Sequence, residues 1–282
     1  MNSNLANPGA DAASAPRQAA GSSFYTAMRI LPRAQRDAMF EIYSFCRRVD
    51  DIADSDLPRV DRLAGLAQWR SDIDALYAGR PPAALSGLAE SVQKYSLRKE
   101  DFLEIIAGME MDAVEDIRAP DWNKLDLYCD RVASAVGRLS VRIFGMPDDD
   151  GRALAHHLGR ALQLTNILRD IDEDAAIGRL YLPREAIEPL RIGSTEPIFV
   201  VESPSLAKAC APVVERALVH FAEAETIMAR SRRRTVRAPR VMGAVYRAML
   251  DAMVARGWAA PRQRVRISRP RLLSIILRYA FF

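Results

Sequence analysis

The chain has 282 residues, of which 49% are hydrophobic and 27% charged, and its formal net charge is +4. A chain of this length can bury a substantial core, and so mild a positive charge is far from a nucleic-acid-binding composition. The three scattered cysteines (Cys46, Cys129, Cys210) exclude a disulfide framework or a thiolate metal site and fit a reducing cytoplasm.

Residues 1–22 are small, polar and aperiodic, which predicts a disordered tail without the apolar core of a signal peptide. From there to the C-terminus, prolines punctuate segments with helical periodicity. These segments cover about 33–55, 59–78, 86–116, 121–145, 149–175, 204–232 and 240–258. "IFVV" (198–201) is the only β-branched run, and it lies in a connection rich in proline, serine and threonine. The arginine-rich "RRRTVRAPR" (232–240) reads as a solvated helix end, since it lacks the aromatic interleaving of a nucleic-acid patch. "RLLSIILRYAFF" (271–282) reads as a final core helix, with a helix lying on a membrane surface as the alternative. No run approaches the ~18–20 apolar residues of a membrane-spanning helix. The expectation is one all-α domain over 23–282.

Two of these helices end in acids. "FCRRVDDIADSD" (45–56) carries Asp50, Asp51, Asp54 and Asp56, with Glu41 just upstream. Like charges one helical turn apart repel by roughly 0.2–0.5 kcal/mol per pair, and acids near a helix C-terminus face the wrong end of the dipole. "LQLTNILRDIDEDAAIGRLYLP" (162–183) repeats the pattern with Asp170 and Asp174. Helical spacing puts Tyr43, Arg47, Asp50 and Asp54 on one stripe, and Gln163, Asn166, Asp170 and Asp174 on another. Apolar residues occupy the other positions of both helices, so each stripe is a polar furrow in a core. Two facing pairs of carboxylates need cations, and Mg²⁺ suits them because it takes oxygen ligands and bridges carboxylates to phosphates. An EF-hand is excluded, because the turn position that requires glycine is Ala175 and the twelfth position is Tyr181. His156, His157 and His220 show no ligand spacing, and helix neighbours point to different sides; they are expected to be surface or satisfied core residues.

The paired motifs "DDIAD" (50–54) and "DIDED" (170–174) resemble those of synthases that join two prenyl diphosphates head to head. With "SSFYTAMRILP" (22–32), "YCDRVASAVG" (128–137) and "GRLYLP" (178–183), the chain is similar to the squalene and phytoene synthase family. "GMEMDA" (108–113) and the stretch 125–145 most resemble the bacterial branch that makes presqualene diphosphate for hopanoids.

The resemblance implies an all-α isoprenoid synthase fold around a central cavity, and an Mg²⁺-dependent condensation of two farnesyl diphosphates. Mn²⁺ is the expected substitute, and no NADPH is expected. It implies that Asp50, Asp54, Asp170 and Asp174, with Asn166, bind the metal and the diphosphates. Arg47, Arg169 and Arg264 would contact diphosphate, and Tyr43 and Gln163 would join Asn166 in the polar lining. Phe24 and Tyr246 would line the cavity, a role that ordinary core aromatics also satisfy. Tyr128 would assist the first half-reaction, and either Tyr128 or the released diphosphate would be the base. Squalene synthase, the hydroxysqualene-forming relative, phytoene synthase and a non-catalytic assembly factor are the rival readings. Peripheral contact with the inner face of the membrane, or with downstream squalene-forming enzymes, completes the expected partners; nucleic acid is excluded.

Overall fold

The computed structural model describes residues 28–114, 117–192 and 196–281. The 1–22 tail and Phe24 lie outside the described residues. Every regular element among the described residues is helical, and the single β pairing is an isolated bridge between Arg118 and Leu180. The all-α expectation is therefore met.

The helices are α1 (Arg33–Ala53), α2 (Arg59–Tyr77), α3 (Ser86–Tyr95), α4 (Lys99–Val114), α5 (Trp122–Cys129), α6 (Ala135–Ile143), α7 (Asp148–Arg169), α8 (Ile171–Ala176), α9 (Arg184–Ile187), α10 (Pro197–Glu202), α11 (Leu206–Arg230), α12 (Arg233–Arg256) and α13 (Arg269–Phe281). A π-helical segment, Asp130–Ser134, joins α5 to α6. Such insertions are rare and cluster at functional sites.

Three expected elements differ. The segment predicted as one helix over 86–116 breaks at Ser96, which adopts φ 50°. Leu97 N–H then bonds back to the Val92 carbonyl at 3.1 Å and buries its side chain. This is a Schellman-type stop built without glycine, so the usual stop residue is missing from the sequence. "IFVV" folds as part of α10, with Val200 and Val201 fully in the core. The C-terminal segment is not a core helix. Leu272, Ile275, Ile276 and Tyr279 of α13 only lean on the core, while Leu273 and Leu277 face outward. No helix among the described residues is long and apolar enough to cross a membrane.

The 22-residue α7 is the hub, packing against α5, the π segment, α6, α11 and α12. Its first turn holds Asp148, Asp149 and Asp150, which complement the positive end of the dipole. Small residues let its neighbours approach closely. A Cβ on Gly159 would stand 2.7 Å from Ser134 Cα, and one on Gly137 of α6 would stand 3.1 Å from Ala155. Arg160 of α7 is buried, and its guanidinium donates twice to Asp126 (2.8 Å each), once to Asp130 (3.0 Å) and once to the Ser134 hydroxyl (3.0 Å). Arg138 extends the network from Asp130 to buried Asp101. These charged bonds join α4, α5, the π segment, α6 and α7.

The histidines depart from expectation. His156 and His157 bend toward each other, with ring centroids 4.8 Å apart, and His220 of α11 joins them with its Nδ1 3.1 Å from that of His157. Adjacent helix positions diverge at Cβ, but an imidazole is long enough to turn back across the α7–α11 seam.

Buried apolar side chains form two clusters. One is built chiefly from α1–α4, the other chiefly from α5, α7, α8, α10 and α11, and α6 and α12 contribute to both. A cavity opens where the two meet.

Candidate active site

The cavity has a volume of about 780 Å³, including its open mouth. Met28 and Met39 line it from one cluster and Leu154, Leu158 and Leu162 from the other, with Gly137 and Gly159 giving room. Its polar rim is Gln163, Asn166 and Tyr246. Two of these belong to the stripe that continues to Asp170 and Asp174, so the apolar chamber leads directly into the acidic helix end.

The helix joint explains how these acids are presented. Asp170 sits between α7 and α8, accepting from Arg169 Nε at 2.8 Å and from Arg264 of the 257–268 segment. The neighbouring Asp172 is used differently, as a bidentate anchor for the buried Arg262. That anchor fixes the segment carrying Arg264 against α8. On the opposite side, Arg47 spans Asp50 (2.9 Å) and Asp51 (3.0 Å), with Tyr43 half-buried one turn earlier on α1.

The two motifs meet through three residues that the sequence reasoning did not single out. Arg179 Nη1 bonds Asp54 at 2.9 Å and is close enough to stabilise the charges of Asp112 and Asp174. Asp112 of α4 is buried and accepts from the hydroxyls of Tyr181 (2.8 Å) and Tyr128 (3.0 Å). The two tyrosine rings stack with centroids 4.9 Å apart. The 117–120 and 179–181 backbones pair through Leu180 N–H to Ile117 O (2.7 Å) and Ala119 N–H to Leu180 O (2.8 Å), which brings Arg179 and Tyr181 to α4. Two quoted stretches, "GMEMDA" and "GRLYLP", held all three residues. Their partners are far apart in the chain, so no helical spacing marked them.

Electrostatics follow from burial and crowding. Burial, with the charges of Asp54, Asp51 and Asp112, pushes the Asp50 carboxyl up to about 6 against the pull of Arg47. Burial, with Asp170, Asp112 and Glu173, pushes Asp174 up to about 7. Burial also raises Asp112, and holds the Tyr128 and Tyr181 phenols protonated. Burial and crowding both favour the protonated, uncharged form of a carboxyl.

The donor set fits a hard divalent ion. Asp50, Asp54, Asp170 and Asp174 supply carboxylate oxygens, and Asn166 Oδ1 is buried without a hydrogen-bond partner among the described residues. Its amide nitrogen points to Gln163 Oε1 at 3.4 Å, which leaves the carbonyl oxygen for a ligand. An orphaned acceptor beside carboxylates is what an oxygen-coordinated ion would satisfy. Arg179 Nε is a buried orphan donor in the same place, suited to an anionic oxygen.

The family model of squalene/phytoene synthases matches residues 17–271. The chain belongs to this family. It is 62% identical over 262 residues to the presqualene diphosphate synthase of Rhodopseudomonas palustris, covering 93% of this chain and 94% of that one. It is 59% identical over 262 residues to the presqualene diphosphate synthase of Sinorhizobium fredii, with the same coverage of both chains. Among solved structures, a dehydrosqualene synthase with bound ligand superposes with a TM-score of 0.80 over 95% of both chains. At 24% identity, that likeness speaks for the isoprenoid synthase fold alone.

Proposed function

We propose that this prenyltransferase joins two farnesyl diphosphates head to head, forming presqualene diphosphate and releasing diphosphate and a proton. The observation that carries the reading is the convergence of both Asp-x-x-x-Asp motifs on Arg179 and Asp112 beside the apolar cavity.

In this reading Asp50, Asp54, Asn166, Asp170 and Asp174 hold Mg²⁺, with Mn²⁺ as a substitute. When bound, the cation neutralises the negative charge that develops on the departing diphosphate. Arg47, Arg169, Arg264 and Arg179 orient the diphosphates through charge-assisted hydrogen bonds. Tyr43, Gln163 and Tyr246 line the passage from the diphosphates to the chamber. The apolar wall excludes water from the allylic cation left by ionisation. The 2,3-double bond of the second substrate attacks that cation, and loss of a proton closes the cyclopropane.

Tyr128 and Asp112 act on that proton as a pair. The Tyr128 oxygen accepts the substrate proton as its own proton passes to Asp112 Oδ2, so the phenol never carries a full negative charge. Burial of Asp112 above the ordinary carboxylate range suits it to this receipt. The exposed Leu273 and Leu277 of α13, beside Arg269, Arg271 and Arg278, support peripheral contact with an anionic membrane as the source of the lipid substrates.

The test is to incubate the protein with farnesyl or geranylgeranyl diphosphate and Mg²⁺, with and without NADPH, and to identify the products. Presqualene diphosphate in both farnesyl reactions is expected. Squalene formed on adding NADPH reassigns the chain as a full squalene synthase, and hydroxysqualene as that relative. Reaction of the C20 substrate alone makes it a phytoene synthase, and no turnover at all a non-catalytic assembly factor.

A further inference from the structure

We infer that His156, His157 and His220 form a second, separate metal site that takes a transition cation of the Zn²⁺ class and staples α7 to α11. Their ligand nitrogens all lie within 4.8 Å of one another. Tetrahedral zinc, with Zn–N bonds of ~2.0–2.1 Å, sets its nitrogens roughly 3.3 Å apart. His157 and His220 already stand at 3.1 Å, and a nitrogen of the exposed His156 lies within 4.8 Å of both. Three protein nitrogens with an open fourth position are a familiar zinc arrangement.

A bound cation would relieve the sharing of protons among these rings. Without one, a single Nδ1 proton must be shared across the 3.1 Å contact, and three rings crowd for little return. Arg160 is the nearby positive charge, but its network sets two arginines against three carboxylates, Asp101, Asp126 and Asp130. Glu223 lies one turn beyond His220 on α11, and its negative charge acts on His157. Burial holds all three imidazoles below their ordinary pKa, which leaves their lone pairs available at neutral pH.

Ligand chemistry separates this site from the acidic furrow. Imidazole nitrogens select transition ions, whereas the all-oxygen set of Asp50, Asp54, Asn166, Asp170 and Asp174 suits Mg²⁺. A staple here would brace α7, the helix that carries Gln163, Asn166 and Arg169, against its most extensive neighbour.

The experiment uses tag-free full-length protein, metal-stripped and then titrated with Zn²⁺ in saturating Mg²⁺, reading bound equivalents by equilibrium dialysis and Tm by circular dichroism. Co²⁺ serves as a coloured probe. The expected result is one tight equivalent of Zn²⁺, a saturating rise in Tm, and a visible Co²⁺ band. All three should be lost in the double variant His157→Gln/His220→Gln and kept in Asp50→Asn/Asp170→Asn. The single variant His156→Gln removes an exposed ring and keeps the fold, and its Zn²⁺ affinity should fall at least about 10-fold. The inference is overturned if the wild type binds no equivalent of Zn²⁺. It is equally overturned if His156→Gln binds with unchanged affinity, or if binding follows the aspartate variants and ignores the histidine ones. Turnover with Mg²⁺ alone reads the proposed function separately, so failure of one reading leaves the other standing.

Discussion

Asp50 and Asp174 show how a single carboxyl can work against the fold. Their folded pKa values, about 6 and about 7, stand above the ~3.9 of an unfolded Asp. Between those values each of these carboxyls binds more proton in the folded protein than in the unfolded chain, so the stability they contribute is fully present below about pH 4 and is lost as pH rises to about 7. In thermal melts of metal-free protein, the Tm of Asp174→Asn should therefore rise relative to the wild type as pH goes from about 4 to about 7. Adding Mg²⁺ with diphosphate at pH 8 should restore the lost stability in the wild type. Asp50→Asn and Asp170→Asn should each abolish turnover; Asp50→Asn should leave the metal-free protein at least as stable, the usual trade between a charged site and stability, whereas Asp170→Asn also gives up the pairs with Arg169 and Arg264. Tyr128 is tested by its hydroxyl. Tyr128→Phe keeps the ring and its stack on Tyr181, so packing alone predicts near-normal activity. Loss of the proton relay predicts a kcat lower by roughly 10²–10⁴ with KM little changed. Asp112→Asn should behave alike if the pair acts as one unit, and the double variant should then be no worse than either single.

At the scale of elements, α7 meets the π segment backbone to backbone in a tight seam. Gly159→Ala would push a methyl to 2.7 Å from the Ser134 backbone, where no flexible side chain can yield. Overpacking of this kind costs roughly 1–3 kcal/mol, which denaturant titration would read as a lower midpoint. The shift would also narrow the cavity, since Gly159 is part of its wall. A second seam is the clamp of Arg262 on Asp172. Arg262→Ala frees the segment that presents Arg264 to Asp170, so the expected effect is a weaker grip on diphosphate and a raised KM, larger than the change in Tm. Steady-state kinetics at saturating Mg²⁺ would separate the two.

At the scale of the whole molecule, an apolar chamber between two core clusters opens onto an acidic mouth, so cation and substrate stabilise the same state. Chelation should stop turnover, Mg²⁺ should restore it, and Tm should climb with Mg²⁺ plus diphosphate as ligand binding shifts the folding equilibrium. The sequence by itself determined the helical class, the placement of most helices, and both acidic stripes with Gln163 and Asn166, because these depend on spacing along one helix. It also carried the family, through motifs whose residues are neighbours in the chain. Only the tertiary structure decided that Asp112, Arg179 and Tyr181 tie the motifs together, since their partners lie 16 to 125 residues away in the chain. The same holds for the helix stop at Ser96, the peripheral seat of α13 and the histidine triad. Each arises from contacts between elements, which periodicity within one element does not record: a helix's own spacing says which side chains share a face, and only packing says what that face meets.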